Sequence, residues 1–372
     1  MESFDLIIVG GGISGLGLAR EAAQSGYSTL LLEANRCGEA TSNNTLRIIH
    51  GGFRYLQHLD LPRVIRSLND QTALIKECPD AVKPLPCLMP LARTGLKSKY
   101  PVLCATLMYG GIMRLNGSPL PAPKIVSSKE LQANVPLLQN QAPHGALCWH
   151  DALMVDPSAI STHLKTAAAA HKAVIRENTP VASITKEGPV FTVSSTNGET
   201  FRTRCVITTL GPFLNSVHTP QELRAPRPLW CRGFNVTISR QLDPTYGISA
   251  EGVDKRLFFC VPRGSGTAIG TWYVPHPDPL TAPRVSDQEI EQFLQAFNAA
   301  LPTARVTTNE LTSIDVGILP MHAVTARGPQ LIAHERIHAN GGFIEVLSTK
   351  YTTFRSQAQA TLAKAKPFIG NR

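Results

Sequence analysis

Residues 5–33 read DLIIVGGGISGLGLAREAAQSGYSTLLLE, and this stretch decides how the rest of the chain is read. An apolar run, residues 6–9, stops at Gly10, and Gly10, Gly12 and Gly15 stand in the spacing G-x-G-x-x-G. Each glycine answers a physical need. The first permits a tight turn, the second lets backbone come close to a pyrophosphate, and the third lets the following helix pack on the strand. A helix over 13–25 presents free amides and the positive end of its dipole to that pyrophosphate. Gly26 closes the helix, 28–32 reads as a second strand, and Glu33 ends it, placed to accept hydrogen bonds from a ribose hydroxyl. A strand before the glycines, a helix after them and an acid at the second strand's end predict a dinucleotide site. The motif alone does not separate FAD from NAD.

The 372 residues suffice for a large core and two or three folding units. With 43% hydrophobic and 17% charged residues the composition is that of a globular chain. Glu2 and Asp5 stand where a secretory leader would be basic, and no apolar run reaches the ~18 residues of a membrane span. A cytoplasmic location follows as the expectation, with peripheral attachment to the inner face of a membrane left open. The net charge of +9 is spread along the chain, and no nucleic-acid-binding motif accompanies it. The charge therefore speaks for an anionic substrate, an anionic membrane surface or plain solubility, and no nucleic-acid partner is expected. The eight cysteines form no C-x-x-C pairs and the eleven histidines no ligand spacing, so reduced thiols and no metal are expected.

Outward from Glu33, small polar residues at 41–45 lead to His50-Gly51-Gly52-Phe53-Arg54-Tyr55-Leu56. Paired glycines beside histidine, arginine and tyrosine let backbone approach a flat ring while donors stand around it. Apolar residues at helical spacing predict a helix over 61–76. Residues 79–145 read as proline-rich and irregular, an insertion of the kind that covers a site or meets a partner. Within it, 103–115 is either a short amphipathic surface or a packed helix. Asp156-Pro157 starts a helix to 170. Short strands follow at 173–176 and 180–184, then a hairpin around Asn197-Gly198. The strand at 205–209 runs into Leu210-Gly211-Pro212. Antiparallel strands are expected at 233–238, 256–261 and 267–271, a helix at 287–301, a strand at 343–347 and a final helix at 351–365.

The pattern T-S-x-x-x-x-x-x-I-H-G-G-x-R-Y-L, starting at Thr41, resembles FAD-dependent glycerol-3-phosphate dehydrogenases and oxidases, of the D-amino-acid-oxidase-like flavoproteins. The likeness continues at Cys148–152 (C-W-H-D-A), Thr209-Leu210-Gly211-Pro212, Gly270-Thr271, Val316-Gly317-x-x-Pro320 and Ser348–355 (S-T-K-Y-T-T-F-R). It implies an α/β fold: a Rossmann-like FAD-binding domain that is discontinuous in sequence, with an antiparallel-sheet substrate domain. The expected divisions are 1–78, 146–222 and 306–372 for the first, and 79–145 and 223–305 for the second. FAD contacts are then expected from Gly10, Gly12, Ile13, Ser14, Gly15, Glu33, Ala34, Thr41, Ser42, His50, Gly51, Gly52, Val181 and Gly211. Ser348, Thr349, Lys350, Tyr351 and Thr352 complete the set.

The resemblance also assigns roles. Arg54 and Tyr55 hold a substrate phosphate, and an arginine's planar fork suits that task. Lys350 is either a cation beside the flavin or a holder of the substrate anion, and the amides around it are free at a strand-to-helix junction. His50 is the candidate base or orienting group, in the position where some relatives attach flavin covalently. Departures are equally plain. Ile318 stands where the family places an arginine over the flavin, and His334, with Arg336 two residues on, where it has a second. Ser348-Thr349 replaces a glycine pair, and Trp272 or Tyr273 an acid. Beside the long members, the expectation is a short form that ends at Arg372 without their C-terminal helical domain. The expectation is removal of hydride from the CH–OH carbon of a small, anionic, glycerol-3-phosphate-like alcohol, with quinone or oxygen as acceptor. Three alternatives stay open: an amine or amino-acid oxidase or dehydrogenase, a nicotinamide-dependent dehydrogenase, and a flavin-binding homologue without turnover.

Overall fold

The computed structural model describes residues 2–326 and 328–369. Its helices are α1 (Ile13–Gln24), α2 (Leu61–Glu77), α3 (Lys99–Leu115), α4 (Ser128–Asn134), α5 (Pro157–Ala170), α6 (Asp287–Ala300) and α7 (Phe354–Ile369). Two main sheets carry them. The first has the spatial order Arg336–Asn340, Phe343–Leu347, Val206–Thr208, Leu6–Val9, Thr29–Leu32, Val174–Arg176, and only the Arg336–Asn340 edge runs antiparallel. Its central strands are buried on both faces. Leu6 and Ile8 pack with α1, α5 and α7, while Ile7 and Val9 pack with Phe191, Val193 and Phe201 of a four-stranded sheet. That sandwich explains why these strands are unbroken apolar runs.

The second, larger sheet runs Gly328–Leu331, Leu311–Thr325, Leu229–Ile238, Gly266–Pro275, Leu257–Arg263, Gly247–Glu251, Val82–Pro90, Ala146–Met154, Ile48–Ile49. α6 covers one face, with Phe293 against Phe234 and Phe258, and Phe297 against Phe258. A reciprocal capping box between Ser286 and Glu289 fixes where α6 begins.

The structure corrects several element expectations. Residues 79–145 are not irregular: they hold the nine-residue strand Val82–Pro90 and the seventeen-residue helix α3. The prolines misled because strands normally exclude them. Here Gly247–Ile248 covers only Cys87–Leu88 on one side, so the N–H groups missing at Pro84 and Pro86 cost little. The strands Ala146–Met154 and Leu311–Thr325 belong to the large sheet, hydrogen-bonded along their length to Val82–Pro90 and Leu229–Ile238 respectively. Gly247–Glu251 was not anticipated as a strand. α7 starts at Phe354, three residues later than expected, because Tyr351, Thr352 and Thr353 form the turn that feeds it. No helix among the described residues is long and apolar enough to cross a membrane.

Candidate active site

The strand Leu6–Val9 delivers the chain to Gly10, whose φ of +108° favours glycine. A Cβ there would stand 2.7 Å from the Thr209 carbonyl oxygen, and a Cβ on Gly15 would stand 1.9 Å from that of Gly10. The Thr209 hydroxyl donates to the Gly10 carbonyl at 2.7 Å, tying strand Val206–Thr208 to the glycine turn. Gly12 caps α1 without a side-chain hydrogen bond, and the Ile13 amide donates to Ser42 Oγ at 3.0 Å. Glu33 accepts from the Gly11 amide at 2.6 Å and the Asn35 amide at 2.9 Å. These bonds hold the carboxylate at the rim of the turn and leave it further lone pairs for ligand hydroxyls.

A cavity of about 820 Å³ opens from this turn. Its walls include Gly10, Gly12, Ile13, Ser14, Glu33, Ala34, Thr41, Ser42, Val181, Gly211, Ser348, Thr349, Lys350 and Tyr351. Gly15, His50, Gly51, Gly52, Arg54, Tyr55 and Thr352 do not line it. Gly15 works behind the wall, at the contact between helix and strand. The other five before Thr352 sit in the segment that adjoins the far end, and Thr352 is buried in the turn before α7.

At that far end Lys350 Nζ donates to the Tyr55 hydroxyl and lies 4.4 Å from the ring centroid, while the Arg63 guanidinium sits 4.1 Å from the same centroid. Burial, and then the Arg63 charge, lower the Lys350 ammonium from its ordinary range to about 8. Burial pushes the Tyr55 phenol up, against the pull of Arg63 and Arg54. Burial likewise raises the Tyr273 phenol, with a hydrogen bond from Thr271 and the Arg54 charge acting in the opposite direction. Arg54 itself is exposed. Tyr273 lies across Gly233, where a Cβ would stand 2.9 Å from its ring. Thr271 Oγ1 donates to Asn235 Oδ1 at 2.7 Å, and both residues line the cavity.

His50 follows the strand Ile48–Ile49, which pairs with Leu153 and Ala152, so Asp151 arrives beside it. His50 Nδ1 and Asp151 Oδ2 are 2.8 Å apart, and Asp151 Oδ1 accepts the Gly51 amide at 2.8 Å. Asp151 is 2% exposed, whereas the His50 side chain is 46% exposed and packs on Phe259. Asp151, Asn235, Thr271, Tyr273 and Trp230 were not assigned roles from the sequence. Asp151 carried a signal all the same: with His150 it interrupts the mainly apolar run Ala146–Met154, and a buried carboxylate needs partners.

Ile318 is 6% exposed and packs with Leu214, Trp230, Ile332 and Leu347, so this part of the cavity floor is apolar. Its amide donates to Thr41 Oγ1 at 3.4 Å. Arg336 is exposed in the antiparallel edge strand, outside the cavity wall.

The donor set fits FAD. The glycine turn gives a pyrophosphate close access to backbone. The cavity lies near the top of the ~300–1,000 Å³ range of small-molecule sites. The Tyr351 hydroxyl lies buried in its wall without a partner among the described residues. Comparison with known proteins agrees. Glycerol-3-phosphate dehydrogenase 2 of Mycobacterium tuberculosis (strain ATCC 25618 / H37Rv) is 27% identical over 382 residues, covering 100% of this chain and 64% of the relative. Alpha-glycerophosphate oxidase of Lactococcus lactis subsp. lactis (strain IL1403) is 25% identical, covering 86% of this chain and 55% of the relative. The chain thus spans just under two thirds of the length of the first of these and about half of the second. Among solved structures, L-alpha-glycerophosphate oxidase from Mycoplasma pneumoniae with FAD bound superposes with a TM-score of 0.74 at 16% identity, covering 98% of this chain and 95% of that one. Glycine oxidase from Geobacillus kaustophilus gives 0.67 at 18% identity, covering 99% and 95%. The family model described as FAD dependent oxidoreductase matches residues 5–345, and the chain belongs to that family.

Proposed function

We propose that the protein is an FAD-dependent dehydrogenase or oxidase that takes hydride from the CH–OH carbon of a small anionic alcohol of the glycerol 3-phosphate kind. The observation that carries this reading is the cationic group at one end of the cavity, where Lys350, paired with Tyr55, lines the wall beside Arg63. FAD, when bound, supplies the hydride acceptor. Gly10, Gly12, Glu33, Ser42 and Lys350 are the residues that would hold it, from pyrophosphate to ring.

The chain's own residues divide the remaining work. Lys350, Tyr55 and Arg54 bind and orient the anionic group. Asp151 accepts the Nδ1 proton of His50, which leaves Nε2 as the free lone pair and makes His50 the base for the substrate hydroxyl. Oxygen or a quinone serves as the final acceptor. The relatives named for glycerol 3-phosphate chemistry support the substrate class, and so does the charge of the site.

One observation favours a second reading. The apolar floor of Ile318 and Trp230, backed by Leu347, suits an amino acid or amine with an apolar side chain better than a polyol. An anaerobic absorbance spectrum separates the two. Bleaching near ~450 nm by glycerol 3-phosphate supports the alcohol. Bleaching by an apolar amino acid, and not by glycerol 3-phosphate, supports the amine. Bound flavin that neither class reduces favours a homologue without turnover.

A further inference from the structure

α2 presents Arg63, Arg66 and Asp70 on one stripe, at spacings of three and four residues. The stripe runs along the segment that leads from Lys350 into α7. Arg63 packs on the Tyr55 ring that Lys350 also covers. One turn on, Arg66 Nε donates to Ser356 Oγ at 2.6 Å, and its guanidinium pairs with Glu335. A further turn on, Asp70 accepts from the Ser356 hydroxyl at 2.5 Å and from the Ser356 amide at 3.2 Å. Asp70 is 2% exposed, and a buried carboxylate is costly unless such bonds offset its lost hydration.

These bonds fix where α7 begins. Ser356 lies in its first turn, where the amides have no partner within the helix, and Asp70 takes one of them from across the interface. The turn that carries Lys350 is thereby held at two points, by Tyr55 at Lys350 itself and by Asp70 at Ser356. Burial acts first on the Lys350 ammonium; beyond it, the charges of Arg63 and Arg66 oppose the ammonium, and those of Glu335 and Asp60 favour it. Burial also raises the Asp70 carboxyl to about 6, against the Ser356 bonds and the Arg66 and Arg355 charges, so at neutral pH it is ionised and accepts both bonds. Neither Asp70 nor Ser356 lines the cavity that Lys350 lines; both line a separate open groove of about 840 Å³. We propose that Asp70 is a positioning residue, acting through Ser356 and Arg66 to fix the turn at 348–353 and hence the Lys350 ammonium. The inference deepens, and rests on, the reading of Lys350 as a holder of the substrate anion.

Two measurements on the flavin-loaded protein test it. In the first, lysines are labelled with acetic anhydride across a pH series and the Lys350 peptide is followed by mass spectrometry. Lys364 and Lys366, exposed on the same helix, serve as internal references. The wild-type inflection of Lys350 is expected at about 8. In D70N and S356A the loosened turn lets water reach the amine, so the inflection should climb by about one pH unit toward the ordinary lysine value. S356A removes one hydroxyl at a half-buried position and guards against a D70N variant that fails to fold. S356T, which keeps the hydroxyl, should restore the wild-type curve. In the second measurement, D70N and S356A should raise KM about tenfold with kcat within about twofold of wild type. A Lys350 curve unchanged in both variants overturns the proposal. So does a shift shared by Lys364 and Lys366, which would report loosening of the whole helix. A shift confined to Lys350 with KM unchanged upholds the positioning role and removes the anion-holding role given to Lys350 above.

Discussion

At the Gly10 end of the cavity the wall is backbone, and at the Lys350 end it is side chains. The first end comes from one continuous stretch, residues 5–33, closed by Thr209. The second draws on the turn after Ile48–Ile49, the strands Ala146–Met154, Leu229–Ile238 and Gly266–Pro275, and the turn before α7. A backbone cradle tolerates almost no added atom but is indifferent to the substrate. A side-chain cluster can exchange members, as Ile318 among apolar neighbours illustrates, and so sets specificity. The same fold can keep its cofactor end while changing its chemistry at the other.

The largest effect should come from breaking the backbone end. Gly15→Ala puts a Cβ 1.9 Å from the Gly10 oxygen, in a contact between helix and strand that has no slack. Loss of bound flavin is expected, with a destabilisation above about 3 kcal/mol, read by flavin content and denaturant unfolding. If Gly15→Ala protein stays yellow and stable, the rigidity assigned to this end is wrong. Lys350→Met attacks the other end and should leave most of the flavin in place. Its kcat/KM is expected to fall about a hundredfold, because a charge-assisted contact to the anion is lost. Steady-state kinetics on the substrate identified by bleaching would show this.

The contrast also explains what could be read in advance. The glycine spacing, Glu33 and the helix that starts at Pro157 depend on neighbours within a few residues, so local sequence displays them. The His50–Asp151 contact joins residues 101 positions apart, and only the pairing of Ile49 with Ala152 brings them together. The likeness of the H-G-G-F-R-Y-L block pointed to His50, Arg54 and Tyr55, but not to Asp151 as a partner or to the walls made by Tyr273 and Asn235. Strand Val82–Pro90 stayed hidden because its prolines oppose local β-propensity, and only the open side of the strand makes them tolerable. α3 stayed ambiguous because its two faces are both apolar, so periodicity could not orient it.

A smaller change sharpens the side-chain end further. Asp151→Asn keeps the shape and can still accept from the Gly51 amide through its carbonyl oxygen. Its amide then faces His50 Nδ1, which forces the proton to Nε2 and removes the lone pair from the substrate side. A drop in kcat of about tenfold is expected, with KM and flavin content near wild type. Asp151→Ala serves as contrast. It strands the Gly51 amide in a buried position and should lower stability by about 1–3 kcal/mol in thermal or denaturant unfolding. Equal losses of stability in both variants would make Asp151 a purely structural residue.

The smallest expected effect tests whether Lys350 holds the substrate anion through its charge or, against the role given to His50, acts as a base. Its ammonium is lowered to about 8, first by burial and then by Arg63, so it carries charge at neutral pH and loses it as pH rises through that value. If the charge holds the substrate anion, KM should rise above pH ~8 while kcat stays nearly flat. If the neutral amine instead removes a proton, kcat/KM should rise over the same interval, the opposite sign. Arg63→Gln removes one of the charges that opposes protonation, so the inflection should move to higher pH by a fraction of a unit in either case. Linkage supplies an independent check. Between about 8 and the ordinary lysine value near 10.5 the unfolded chain binds more protons at this residue than the folded one, so stability from this group rises with pH. In Lys350→Met that rise should be missing from the pH dependence of unfolding. A variant that keeps both the kinetic inflection and the stability slope would place the titrating group elsewhere in the cluster, and Tyr55, Arg54 and Tyr273 would then have to hold the anion without it.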